Sequence, residues 1–160
     1  MTSTSLNSPK ENFVFICYAR KDNKFREEIK NYCEPIDEIG IWADVNDIQV
    51  GDAWEDSIDQ AIEACKIAIV LVSINFFTSQ YIKTKEFPKL IAAHKARKIT
   101  IIPIFVSKCI YQKSPIKDIQ AINLPSKPLK KLAPSQREDI YEELANLIVH
   151  HFEKNISGGK

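Results

Sequence analysis

Lys66-Ile67-Ala68-Ile69-Val70-Leu71-Val72-Ser73 is a continuous, largely β-branched apolar run that stops abruptly at Ser73. A strand with one wet face alternates apolar and polar residues, so a run without polar positions needs cover on both faces. That demand places it at the centre of a parallel sheet held between helices. Phe13 to Tyr18 and Ile39 to Ala43 read as two earlier strands of the same kind, and Ile99 to Val106 as a later one. Pro103 inside that last strand removes a ladder donor. It implies either a bulge or a strand paired on one side at that point.

Helical spacing fills the intervals. From Asp22 onward Phe25, Ile29, Tyr32, Cys33 and Ile36 recur on one face. Asp52 caps a helix with the stripe Trp54, Ile58, Ala61, Ile62 and Cys65. A third helix spans about Lys85 to Arg97. Ser135 and Glu138 form a capping box for a last amphipathic helix through Ile140, Tyr141, Leu144, Leu147, Ile148 and Phe152. Between them, 115–134 is irregular, with one short strand near Ala121 to Leu124. Alternating strands and helices imply a parallel sheet with helices on both faces.

A chain of 160 residues carries one domain with a full core. Its 22 basic and 21 acidic residues leave a net charge of +1, too little overall field to hold a phosphate backbone or an anionic membrane. No direct nucleic-acid or membrane partner is therefore expected. Met1 to Asn12 lacks the apolar core of a secretion signal. Cys17, Cys33, Cys65 and Cys109 show no zinc spacing, and Cys17 and Cys65 sit among apolar residues as free buried thiols. A cytoplasmic setting is expected, with no metal.

Three activities common in such sheets are disfavoured. The turn after the first strand, Tyr18-Ala19-Arg20-Lys21-Asp22, has no glycine for a dinucleotide fingerprint or a Walker loop. A phosphoacceptor would want an aspartate after the third strand, where Ser73-Ile74-Asn75 stands. His94, His150 and His151 fall on helices without triad or ligand spacing.

The strand ends nevertheless gather chemistry, and open α/β sheets bind ligands there. The first strand delivers Tyr18 and Arg20, the second Trp42 and Asp44, the third Ser73 and Phe77, with Tyr81 and Glu86 following. Rings for stacking, a cation for phosphates and one carboxylate suit a nucleotide-like ligand. Each member has a plainer alternative: Trp42 and Phe77 as core, Arg20 as surface charge, Glu86 as a carboxylate opposing a helix dipole.

The order of motifs resembles a TIR domain of the bacterial type. Phe15-Ile16-Cys17-Tyr18-Ala19-Arg20-Lys21-Asp22 is similar to the family's opening box, with Cys17 where Ser is usual. Trp42 to Trp54 resembles the second strand and the loop after it, Ile67 to Glu86 the third box with its glutamate, and Ile102-Pro103-Ile104 the fourth strand. Many members carry an aromatic four residues before the glutamate; here Ile82 stands there and Tyr81 precedes it. Tyr81-Ile82 followed by Glu86-Phe87-Pro88 is similar to a subgroup found in defence proteins.

The resemblance implies a flavodoxin-like three-layer fold, a five-stranded parallel sheet in the order 2-1-3-4-5 flanked by helices. It makes 1–11 a disordered leader, 12–154 the domain and 155–160 a linker-like tail leading to a sensor domain. It implies cleavage of NAD+ to nicotinamide and ADP-ribose, with Glu86 catalytic and Tyr18, Arg20, Trp42, Asp44, Ser73, Phe77 and Tyr81 binding substrate. NAD+ is then substrate, and no cofactor is needed. Asn46, Asp47, Ile48 and Gly51 would form an assembly loop for TIR–TIR contacts, with a fused sensor or ligand-triggered partner as activator in antiphage defence. A non-catalytic signalling adaptor and an NAD+ cyclase remain the alternative readings.

Overall fold

A computed structural model describes residues 12–36, 39–42 and 53–158. Four strands, β1 (Asn12–Cys17), β2 (Ile39–Trp42), β3 (Ile67–Val72) and β4 (Thr100–Phe105), form one parallel sheet in the order β2-β1-β3-β4. β3 has β1 on one side and β4 on the other, and every one of its residues is buried. The apolar run thus sits where its composition demands, covered above and below.

Side chains alternate across the sheet, and each face has its own core. One face gathers Val14, Ile16, Tyr18, Ile67, Ile69, Leu71, Ile102 and Ile104 under α1 (Asn23–Cys33) and α5 (Pro134–Gly158). The other gathers Phe15, Cys17, Ala68, Val70, Val72, Ile101 and Phe105 under α2 (Ala53–Ala64), α3 (Ile74–Thr78) and α4 (Phe87–Lys95). The expected three-layer, flavodoxin-like arrangement is present.

The expected fifth strand is not. Residues 121–124 form no strand, and a side chain occupies the place where one would pair. Asn123 Oδ1 accepts from the Phe105 N–H at 2.8 Å and its Nδ2 donates to the Phe105 carbonyl at 2.9 Å. A primary amide carries one acceptor and two donors in a plane, so it satisfies an edge residue as a neighbouring strand would. One backbone bond, Ile122 N–H to the Pro103 carbonyl at 3.0 Å, flanks it. That bond also shows that Pro103 turns its backbone outward, away from β3. Its missing N–H therefore costs the ladder nothing.

Two helix boundaries differ from the sequence reading. α5 begins at Pro134, and the reciprocal cap is Ala133 with Gln136, whose Oε1 accepts from the Ala133 N–H at 2.8 Å. Proline pre-set for the first helical position draws the start forward from the Ser135–Glu138 box. At its other end α5 continues to Gly158, into the segment read as tail.

Candidate active site

β1 leads back to β2 on one side of the sheet, whereas β3 leads on to β4 on the other. The crevice between the carboxyl ends of β1 and β3 is therefore the switch point at which such sheets bind ligands. A buried clamp spans it. Asp22, in the short 3₁₀ turn Arg20–Asp22, is wholly buried and accepts from Ser73 Oγ at 2.5 Å and from Asn75 Nδ2 at 3.0 Å. Ser73 Oγ in turn accepts from the Phe76 N–H at 2.9 Å and caps α3. Ser73, a predicted substrate contact, is thus committed to the scaffold that ties β1 to β3. Asp22 was not among the predicted site residues. Its signal was a carboxylate four residues beyond Tyr18 in the opening box.

Glu86 lies in the α2/α4 layer. Its helix starts at Gln80, not near Lys85, and passes through a π-helical turn, Ile82–Glu86, closed by the Phe87 N–H to the Ile82 carbonyl. π turns insert one extra residue, re-aim the side chains after them and often mark functional sites. Glu86 is only 6% exposed, so the simple helix-start charge does not describe it. Ile82 fills core at the position where many relatives carry an aromatic. Aromatic rings surround the turn instead: Phe76 stacks edge-on with Phe77 at 5.1 Å and with Phe87 at 5.2 Å, and Tyr81 packs half-buried against the same core.

β1 reaches Glu86 through Cys17. Its thiol is hydrogen-bonded to the Glu86 side chain. Burial, and then the charge of Glu86, push the thiol well above its ordinary range, so it stays protonated.

The predicted constellation is only partly brought together. Glu86, Phe77 and Tyr81 share one layer. Tyr18, one residue after Cys17, points to the opposite core, where the Arg26 guanidinium lies 5.6 Å from its ring centroid. Strand alternation makes that split unavoidable. Arg20 is exposed on the turn at the rim. Trp42 ends β2, with its side chain outside the described residues, where Asp44, Asn46, Asp47, Ile48 and Gly51 also lie. An open groove of about 650 Å³ beside Phe77 continues past Phe105, Ser107 and Tyr111. Among the described residues no group of three or more His, Cys, Asp or Glu side chains is placed to hold a metal, and no helix is long and apolar enough to cross a membrane.

The family model of the TIR domain matches residues 14–141, from β1 through Glu86 into α5. This chain belongs to the TIR domain family. A TIR relative, "Uncharacterized protein y4lF" of Sinorhizobium fredii (strain NBRC 101917 / NGR234), is 26% identical over 119 residues, covering 72% of this chain and 36% of that protein. A second, "NAD(+) hydrolase TcpA" of the Theionarchaea archaeon (strain DG-70-1), is 29% identical over 94 residues, 58% of this chain and 28% of that protein. The chain therefore spans about a third of the length of these relatives. Among solved structures, the TIR domains of the activated Roq1 resistosome directly recognizing the pathogen effector XopQ superpose with a TM-score of 0.54 at 18% identity, over 93% of this chain and 75% of that one. That likeness concerns the fold.

Proposed function

We propose that this TIR domain is an NAD+ glycohydrolase with Glu86 at its reaction centre. The observation that carries the reading is a carboxylate kept almost out of water, in a π turn among aromatic rings, at the ligand-binding end of the sheet. Membership of a family that includes a relative named NAD(+) hydrolase supports it.

The chemistry suits a single carboxylate. Glycoside cleavage ordinarily needs a general acid to protonate the leaving group. In NAD+ the nicotinamide is already cationic and departs neutral, so no acid is required. Glu86 then holds the ribose hydroxyls and stabilises the oxocarbenium-like transition state, from a site where low dielectric strengthens the interaction. Phe77 and Tyr81 offer ring faces to a base, and Arg20 stands at the rim for the pyrophosphate. We assign the domain to the effector end of an antiphage defence protein, activated by self-assembly through the loop around Asn46, Asp47, Ile48 and Gly51.

The test is NAD+ loss at high protein concentration with a crowding agent, products resolved by chromatography, for wild type and Glu86→Gln. Turnover by wild type and a loss of at least about a hundredfold in a folded Glu86→Gln variant are expected. Equal turnover by the two proteins refutes the assignment. The product peak separates free ADP-ribose from its cyclic form.

A further inference from the structure

A buried carboxylate requires a hydrogen-bond donor to hold its charged form. Cys17 is the last residue of β1, 0% exposed, on the face shared by Phe76 and Ile82, and its side chain is bonded to Glu86. The geometry points to Cys17 as a positioning residue for Glu86: a donor at the end of β1 that sets the orientation and charge of the carboxylate. This rests on the reading of Glu86 as the reacting carboxylate.

The direction of the bond follows from its chemistry. Burial and the neighbouring negative charge keep the proton on sulfur, so Cys17 donates and Glu86 accepts. The same environment makes Cys17 a poor nucleophile, since reactivity belongs to the thiolate. Among the described residues, the other ionisable groups on the surrounding elements are Asp59 and Glu63 on α2 and Lys83, Lys85 and Lys89 around Glu86 on its own helix. Asp59 and Lys89 are paired with each other, and Glu63, Lys83 and Lys85 are exposed. None of them shares the buried position of Cys17.

Two substitutions separate positioning from packing. Cys17→Ala removes the donor, whereas Cys17→Ser keeps a stronger one in nearly the same volume. The carboxyl ¹³C titration of Glu86, assigned by its disappearance in Glu86→Gln, reads the contact without reference to turnover. Its midpoint is expected to rise by about half a pH unit or more in Cys17→Ala and to stay at or below the wild-type value in Cys17→Ser. In the NAD+ assay kcat should fall about tenfold in Cys17→Ala, with KM within about twofold, and recover in Cys17→Ser.

Packing alone predicts the reverse ranking, because a hydroxyl without an acceptor is costly in an apolar core while alanine leaves only a small void. An unmoved midpoint in a folded Cys17→Ala protein, or better turnover with alanine than with serine, overturns the proposal. A midpoint that moves while even the wild type leaves NAD+ intact upholds the coupling and refutes the enzymatic reading.

Discussion

Replacing Asp22 by alanine removes the clamp across the β1–β3 crevice. Two side-chain hydrogen bonds end on its carboxylate, from Ser73 and Asn75, and the carboxylate is fully buried. Each bond to a charged group contributes roughly 1.5–3 kcal/mol net. Part of that is offset because the variant no longer desolvates a charge. The expected loss is about 3 kcal/mol. For a domain of this size that corresponds to a fall of about 6–12 °C in Tm. Asp22→Asn keeps one acceptor and is expected to lose about half as much. The assay is urea denaturation with m-values compared, since a changed slope would signal an altered unfolded or native state. A double-mutant cycle with Ser73→Ala isolates the pair, with an expected coupling of about 1–2 kcal/mol. Ser73 also caps α3, so its single variant loses about a further 1 kcal/mol that the cycle cancels. An Asp22→Ala protein melting within about 2 °C of wild type, or additivity within about 0.3 kcal/mol, refutes the clamp.

Two further contacts make equally direct predictions. Glu28 of α1 receives both arms of Arg137 at 3.0 and 3.1 Å and the Tyr141 hydroxyl at 2.6 Å, clasping α1 to α5. Burial opposes its charge, but the bonds from Arg137 and Tyr141 outweigh it and hold the carboxyl below its ordinary value of 4.5. The folded group therefore releases its proton more readily than the unfolded one. Its stabilisation is complete above about 4.5 and fades as pH falls through the lower folded value. Melts of wild type and Glu28→Gln should differ by about 1 kcal/mol at neutral pH and converge between about pH 5 and pH 3; a constant gap contradicts this. Asn123→Ala should cost about 2 kcal/mol by orphaning the Phe105 N–H and C=O, and should speed hydrogen exchange at the Phe105 amide. Unchanged protection there means the side chain is not what closes the sheet edge.

Much of the fold was legible because its signals are local. Ile67 to Val72 has no polar position and must lie inside a parallel sheet, and it does. The stripe from Phe25 through Cys33 announces a helix whose apolar face is buried. The fifth strand was misjudged because Ala121 to Leu124 resembles a strand in composition. What decided the matter was one amide reaching Phe105, a contact between residues 18 apart in the chain. The start of α5 was misjudged by two residues because Pro134 and Gln136 compete with Ser135 and Glu138 for the same role.

The site divides along the same line. Residue order alone brought Glu86 to the strand ends, picked out the opening box with its aspartate and carried the family resemblance. All of these depend on residue type and spacing. Only the tertiary structure put Tyr18 on one face and Cys17 beside Glu86 on the other, and only it buried Asp22 between Ser73 and Asn75. Sequence patterns state which residues avoid water. Which buried polar groups satisfy one another is decided when strands distant in the chain lie side by side, because a hydrogen bond requires partners within about 3 Å and correctly aimed.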